Sequence, residues 1–138
     1  MQLSETEARR RLTDARVVHL ATADAAGVPH LVPATFALHA DTVVIAVDAK
    51  PKRHQRLKRL DNLAANPRAC VLADRYDDDW TQLWWVRADG VARILTGPDE
   101  TREPIDRLAA KYPQYRSQRP AGPVIALRVT RWIGWAYR

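Results

Sequence analysis

The sequence has a single cysteine, Cys70, in 138 residues. One thiol excludes an intramolecular disulfide and leaves no basis for a Cys-based zinc site. Set within the apolar run ACVLA, Cys70 is expected to be a core residue. No run of about 18 apolar residues occurs. The opening MQLSETEARRRL is charged and amphipathic, without an apolar signal-peptide core. The expectation is therefore a cytoplasmic chain with no membrane segment, folding as one domain over residues 1–138 with 46% hydrophobic content to fill its core. Internal repeats and low-complexity tracts are absent. Between residues 37 and 75 there is no Trp, Tyr or Phe, and between Lys50 and Arg59 there is no Asp or Glu.

That last absence is the most informative. Lys50, Lys52, Arg53, Arg56, Lys58 and Arg59 fall within ten residues, while the other 16 Lys and Arg only match the 16 Asp and Glu. The basic excess of the chain is concentrated in one segment, which favours an anionic partner.

Ser4 followed by Glu7 forms a capping-box pattern, and Leu3, Ala8, Leu12 and Ala15 recur at helical spacing, so residues 4–15 are predicted to be an amphipathic helix. Strands are predicted at 17–23, at 30–38 and at 42–47 as a three-strand meander. Pro33 implies an edge or a bulge, and TVVIAV implies burial on both faces. A helix follows at 54–65, with Leu57, Leu60 and Ala64 as its apolar stripe and Asn66-Pro67 as its stop. Residues 68–74 form a strand, LWWVRADGVARIL a long strand or a hairpin around Asp89-Gly90, and 99–112 a surface helix that Pro104 divides or kinks. A Pro-rich loop, YPQYRSQRPAGP, leads to a last strand ending near Trp132 and Trp135. This order suggests a mainly β protein with short helices, a small antiparallel barrel closed to remove its edges.

On one helix, Lys52, Arg56 and Arg59 would share a face, with the leucines on a neighbouring face, and none of the six cations is expected to have an acid within reach along the helix. The free N–H groups of the first helical turn complete an anion cradle. A single-strand nucleic-acid binder needs aromatic rings among its basic residues. None is present in this interval, and no helix-turn-helix, RNP or zinc-finger pattern is visible. A compact anion such as a cofactor phosphate fits better, and a nucleic-acid-binding barrel ranks last.

The ordered set VVIAVDAKPKRHQRLKRLDNLAANPRACVLA resembles the split-barrel flavin-binding superfamily that includes pyridoxamine phosphate oxidase, in which strand, basic pair, short helix, Asn-Pro-Arg and strand succeed one another. HLATADAAGVPHLVPATF and DDDWTQLWWVRADGVARI resemble, more narrowly, the deazaflavin-dependent oxidoreductases of that fold, B type, from actinobacteria. The resemblance implies an FMN-binding-type split β-barrel and places the cofactor phosphate at Lys58 and Arg59, with Lys50, Lys52 and Arg56 lining the same cradle. The ring platform corresponds to the strand from His30, chiefly Val32, Pro33, Ala34 and Thr35, and the opposing strand end to Val47 and Asp48. It also implies a homodimer with cofactor sites at the interface.

No catalytic residue is assigned: His30 and Asp48 form a tempting acid–base pair, but a lone His at a strand start is more often structural. Asp77, Asp78 and Asp79 are read as a solvated loop and not as a metal site. Trp84 and Trp85 point to opposite faces of one strand, as do Trp132 and Trp135 in the split between core and stacking roles. FMN carries one phosphate, for which two or three cations suffice, whereas coenzyme F-420 continues into a phosphodiester and an oligoglutamate tail that suits six. The expected activity is hydride transfer from coenzyme F-420 to a small electron-poor acceptor. The alternatives are an FMN-dependent oxidoreductase and a non-catalytic flavin or deazaflavin carrier.

Overall fold

In the computed structural model, which describes residues 1–47 and 57–138, Ser4 starts α1 (Glu5–Asp14) by accepting the Glu7 N–H on its hydroxyl at 3.1 Å. Only half of the capping box forms, because the Glu7 carboxylate turns to Arg10 and Arg11 instead of reaching back to the cap. Ala8 and Leu12 are buried from this helix.

Seven strands follow in one antiparallel sheet: β1 (Val18–Ala23), β2 (Pro29–Ala34), β3 (Ala37–His39), β4 (Thr42–Ala46), β5 (Arg68–Arg75), β6 (Trp84–Leu95) and β7 (Val124–Ala136). Their spatial order is β2-β1-β5-β6-β7-β4-β3. The sheet curls into a half-barrel with Phe36, Leu20, Ile45, Ile125 and Leu127 among the fully buried side chains inside it. The helices α2 (Lys58–Ala65), α3 (Pro98–Lys111) and α4 (Pro113–Ser117) complete the chain. No helix among the described residues is long and apolar enough to cross a membrane.

The expected meander is corrected at its second strand. Residues 30–38 are two strands, and β2 and β3 lie at opposite ends of the sheet. Pro33 has no N–H to donate outward, and it sits on the edge strand β2, opposite His19. The run TVVIAV behaves as expected: β4 buries Val43, Val44 and Ile45 consecutively, because α3 covers the face away from the barrel core.

Other expectations change in detail. Leu57 is extended and serves as the N-cap of α2, so no continuous helix runs through it from residue 54; residues 54–56 lie outside the described residues. The buried residues of α2 are Asn62 and Leu63, with Leu57 and Leu60 partly buried against the core, whereas Ala64 is exposed. Asp89-Gly90 is not a hairpin turn but lies within one strand, opposite a bulge that β7 makes at Thr130. α3 runs through Pro104, and Glu100, whose carbonyl loses a donor there, is on the exposed side of the helix. The Pro-rich segment holds α4, started by Pro113 in the first helical turn. Cys70 is half-buried on the outer face of β5, not in the core.

The tryptophans divide as the strand period requires. Trp84 and Trp132 pack against the core, each under an α1 guanidinium: Arg11 lies 5.5 Å from the Trp84 ring and Arg9 lies 4.9 Å from that of Trp132. Trp85 and Trp135 pair with each other and face outward.

Gly90 is fixed by close approach, since a Cβ there would stand 2.1 Å from the Arg128 carbonyl oxygen across the bulge. Gly90→Ala must push two paired backbones apart, and it is expected to lower unfolding free energy by about 1–3 kcal/mol or more. Urea denaturation of the variant beside the wild type measures this; an unchanged midpoint would show that the bulge relaxes freely.

Candidate functional site

The N-terminus of α2 sits over the turn between β1 and β2. Asp24 shapes that turn by accepting the N–H groups of Ala26 and Val28 on Oδ1, both at 2.9 Å. Its other oxygen stands 3.7 Å from the Lys58 ammonium. These contacts, the Val28 N–H foremost, hold the Asp24 carboxyl below its ordinary range. The expectation that no acid lies within reach along the helix is corrected by Asp61 in the same first helical turn, and Lys58 also meets Asp24 across the fold, which the sequence did not show.

Arg59 is different. It is half-buried, and it makes no hydrogen bond or ion pair among the described residues. Its Nε is sealed from solvent, and burial alone pushes its pKa down. One helical turn on, Asn62 is 1% exposed and donates from Nδ2 to the Thr22 hydroxyl at 3.0 Å. Thr22 is itself buried and pairs with His30 across the β1–β2 ladder. The Asn62 Oδ1 and His30 Nδ1 atoms are, like the Arg59 Nε, buried without a partner among the described residues. A seam of Arg59, Asn62, Thr22 and His30 therefore joins α2 to the hairpin and leaves both donor and acceptor capacity unused, which native interiors rarely do without a bound group or water. Asn62 had no signature in the sequence; only its place three residues after Arg59 hinted at a shared face.

The platform residues divide by pleat. Val32 and Ala34 pack against the core, whereas Pro33 is exposed on the opposite side. Thr35, just beyond β2, shares a 2.7 Å hydrogen bond with the Tyr115 hydroxyl. Val47 is buried at 1% exposure and donates its N–H to the Pro123 carbonyl at 2.9 Å. Asp48, Lys50, Lys52 and Arg56 lie outside the described residues.

A clamp of α3 and α4 side chains holds the Thr35–Phe36 crossover. The Tyr112 hydroxyl accepts the Phe36 N–H at 3.2 Å and donates to the Arg16 carbonyl at 2.8 Å. The Lys111 ammonium lies 3.6 Å from the centroid of the Phe36 ring with no hydrogen-bond partner among the described residues. Among the other charges, the loop Asp77–Asp79 is self-capping: Asp77 accepts the Asp79 N–H, Asp78 accepts the Tyr76 hydroxyl, and Asp79 caps a 3-10 turn at Trp80–Gln82. Among the described residues no group of His, Cys, Asp and Glu is arranged to hold a metal.

A curled antiparallel half-barrel with a basic helix start beside its first hairpin defines a split β-barrel. The sequence matches the family model described as pyridoxamine 5'-phosphate oxidase over residues 4–136, and the chain belongs to that family. Among solved structures, a conserved hypothetical protein of Mycobacterium tuberculosis superposes with a TM-score of 0.80 at 22% identity, over 99% of this chain and 86% of its own. An FAD-binding protein of Mesorhizobium loti gives 0.78 at 21% identity, over 97% and 93%. The FAD binding protein of Mycobacterium smegmatis gives 0.66 at 21%, over the full length of both chains. No curated protein matches the sequence.

The clamp has a measurable signature. Burial first, and the nearby Arg16 second, push the Lys111 pKa down to about 8, against a smaller opposing pull from Asp14. The unfolded chain, with an ordinary lysine, binds more protons than the folded one from pH 8 upward, so Lys111 makes stability rise with pH in that range. Lys111→Met removes this contribution. The difference in Tm between wild type and variant is expected to change in favour of the wild type between pH 8 and 9.5; a pH-independent difference would show that Lys111 titrates normally.

Proposed function

We propose that this chain is an oxidoreductase that binds coenzyme F-420 and passes a hydride to a small electron-poor acceptor such as an enone or a quinone. The observation that carries the reading is the half-buried Arg59 guanidinium, which is left without a counter-charge among the described residues at the start of a helix. A phosphate supplies what Arg59 lacks: a fixed negative charge with acceptor oxygens, which the helix N-terminus also favours. Lys58 already has Asp24, so it serves as the weaker, exposed second cation. The six-cation segment around this pair suits a longer anion than FMN offers.

When bound, the deazaflavin supplies two-electron hydride chemistry at its C5, and the protein's part is orientation and electrostatics. Arg59 anchors the phosphate end. The β2 backbone from Val32 to Thr35 offers a platform whose end is held still by the bond from Tyr115 to Thr35. In this reading the working unit is a cytoplasmic homodimer of a single-domain chain. A second reading, binding of an ordinary flavin as FMN or FAD, with or without catalysis, is favoured by the FAD-binding proteins among the similar structures.

The visible absorption of the purified protein after incubation with F-420, FMN or FAD and desalting separates these readings. Retention of F-420, and tighter F-420 than FMN binding by tryptophan quenching, is the expected result. Tighter FMN or FAD binding would replace the cofactor assignment while leaving the fold intact.

Arg59→Ala is expected to weaken cofactor binding roughly 10- to 100-fold, from about 1.5–3 kcal/mol for a hydrogen bond to a charged group. Lys58→Ala should cost less, because Asp24 already offsets that charge. Equal, small effects in two folded variants would place the phosphate elsewhere.

A further inference from the structure

Six cations within ten residues would by themselves favour the most highly charged ligand, because each of them attracts a dianion about twice as strongly as a monoanion. A phosphate monoester such as that of FMN carries nearly two negative charges at neutral pH, whereas a phosphodiester carries one. Asp24 works against that preference.

Its carboxylate cannot turn away from the site. The Asp24 N–H donates to the Val28 carbonyl at 3.1 Å, and the Asp24 carbonyl accepts the Gly27 N–H at 3.0 Å. Gly27 stands at φ 82°, in the left-handed region, which lets the chain double back around the side chain. Oδ1 is occupied by the N–H groups of Ala26 and Val28. Oδ2 is left over, and it faces the Lys58 ammonium at 3.7 Å.

Two contacts set how near this oxygen comes to a ligand on Arg59. Lys58 meets Asp24, and Asn62 meets Thr22. Four residues of helix rise about 6 Å and two residues of strand about 7 Å, so α2 runs back along β1 with Arg59 between its two anchors. An anion held jointly by Lys58 and Arg59 would sit about 3 Å from the ammonium, and therefore at most about 7 Å from Oδ2. At that separation, in surroundings close to water, one unit charge changes an affinity about threefold. A monoanion loses that factor once and a dianion loses it twice. The ion pair with Lys58 does not remove the difference, because the pair presents no net charge to the ligand where Lys58 alone would present one.

We propose that Asp24 is a specificity-determining residue of the anion site, shifting its preference away from a phosphate monoester and toward a phosphodiester. This rests on the cofactor reading above, in which the phosphate lies at Arg59, and adds the residue that selects between the two classes of phosphate.

Three probes that differ in charge at one end test it: riboflavin, its 5′-methyl phosphodiester and FMN. Asp24→Asn keeps an oxygen to accept the Ala26 and Val28 N–H groups and removes only the charge. Tryptophan quenching at low ionic strength, where screening is weakest, is expected to show riboflavin bound as in the wild type, the methyl diester about threefold more tightly and FMN about tenfold more tightly. If riboflavin affinity changes as well, the turn has been disturbed, and Asp24→Ser, whose hydroxyl can also accept within the turn, replaces the first variant. Equal gains for the diester and FMN, or no gain for either, would overturn the filter and leave the cofactor site in place. Where the wild type takes up F-420 alone, Asp24→Asn must bring FMN binding into range, and a variant that remains blind to FMN overturns the filter. If neither protein binds F-420 or any of the three probes, the cofactor reading falls and the filter falls with it.

Discussion

Two residues, Thr35 and Phe36, join strands at opposite ends of a seven-stranded sheet. From Ala34 to Ala37 the chain can span at most about 11 Å. Laid flat, six strand spacings would separate those ends by roughly 29 Å. The sheet has no choice but to curl until its first and last strands nearly meet. The barrel, the burial of Phe36 at its mouth and the placing of both platform and helix follow from that short link.

Such a link must be held, because nothing in the ladder holds it. Thr35 and Phe36 belong to neither strand, and their backbone groups need other partners. Tyr112 provides one by taking the Phe36 N–H while tying itself to Arg16, and Tyr115 secures the Thr35 hydroxyl. Lys111 closes the cluster from above the Phe36 ring. The helices α3 and α4 thereby fasten the seam at which the barrel closes.

What was legible in the sequence was local. Ser4 marked a helix start, Pro33 marked an edge, and the unbroken TVVIAV marked a strand covered on two sides. The order of basic segment, short helix and Asn-Pro-Arg carried the family. What was not legible depended on pairing across the chain. The pattern of residues 30–38 is the same whether the strand continues or breaks and crosses the barrel; only the length of the link relative to the curled sheet decides. Tyr112 and Tyr115 looked like loop residues because their partners are some 80 residues earlier. Lys58 and Arg59 looked equivalent, since Asp24 is remote in sequence and adjacent only after the first hairpin forms.

That last distinction bears on how the site and stability are linked. A guanidinium that is half-buried without a counter-charge among the described residues costs the folded protein free energy, as the downward push of burial on its pKa records. Moving an acid to Arg59 would remove the cost but also fill the position with an internal partner. Retaining the cost leaves the cation without an internal counter-charge among the described residues, and an anion bound there would offset the penalty. Asn62 and His30 share the same condition, with buried polar atoms unsatisfied by the described chain. A ligand that satisfies these atoms binds the folded state alone, so its binding free energy adds directly to stability in proportion to the logarithm of its concentration over Kd. The seam between α2 and the first hairpin holds three buried polar atoms without a partner among the described residues, and a ligand that met them would strengthen it.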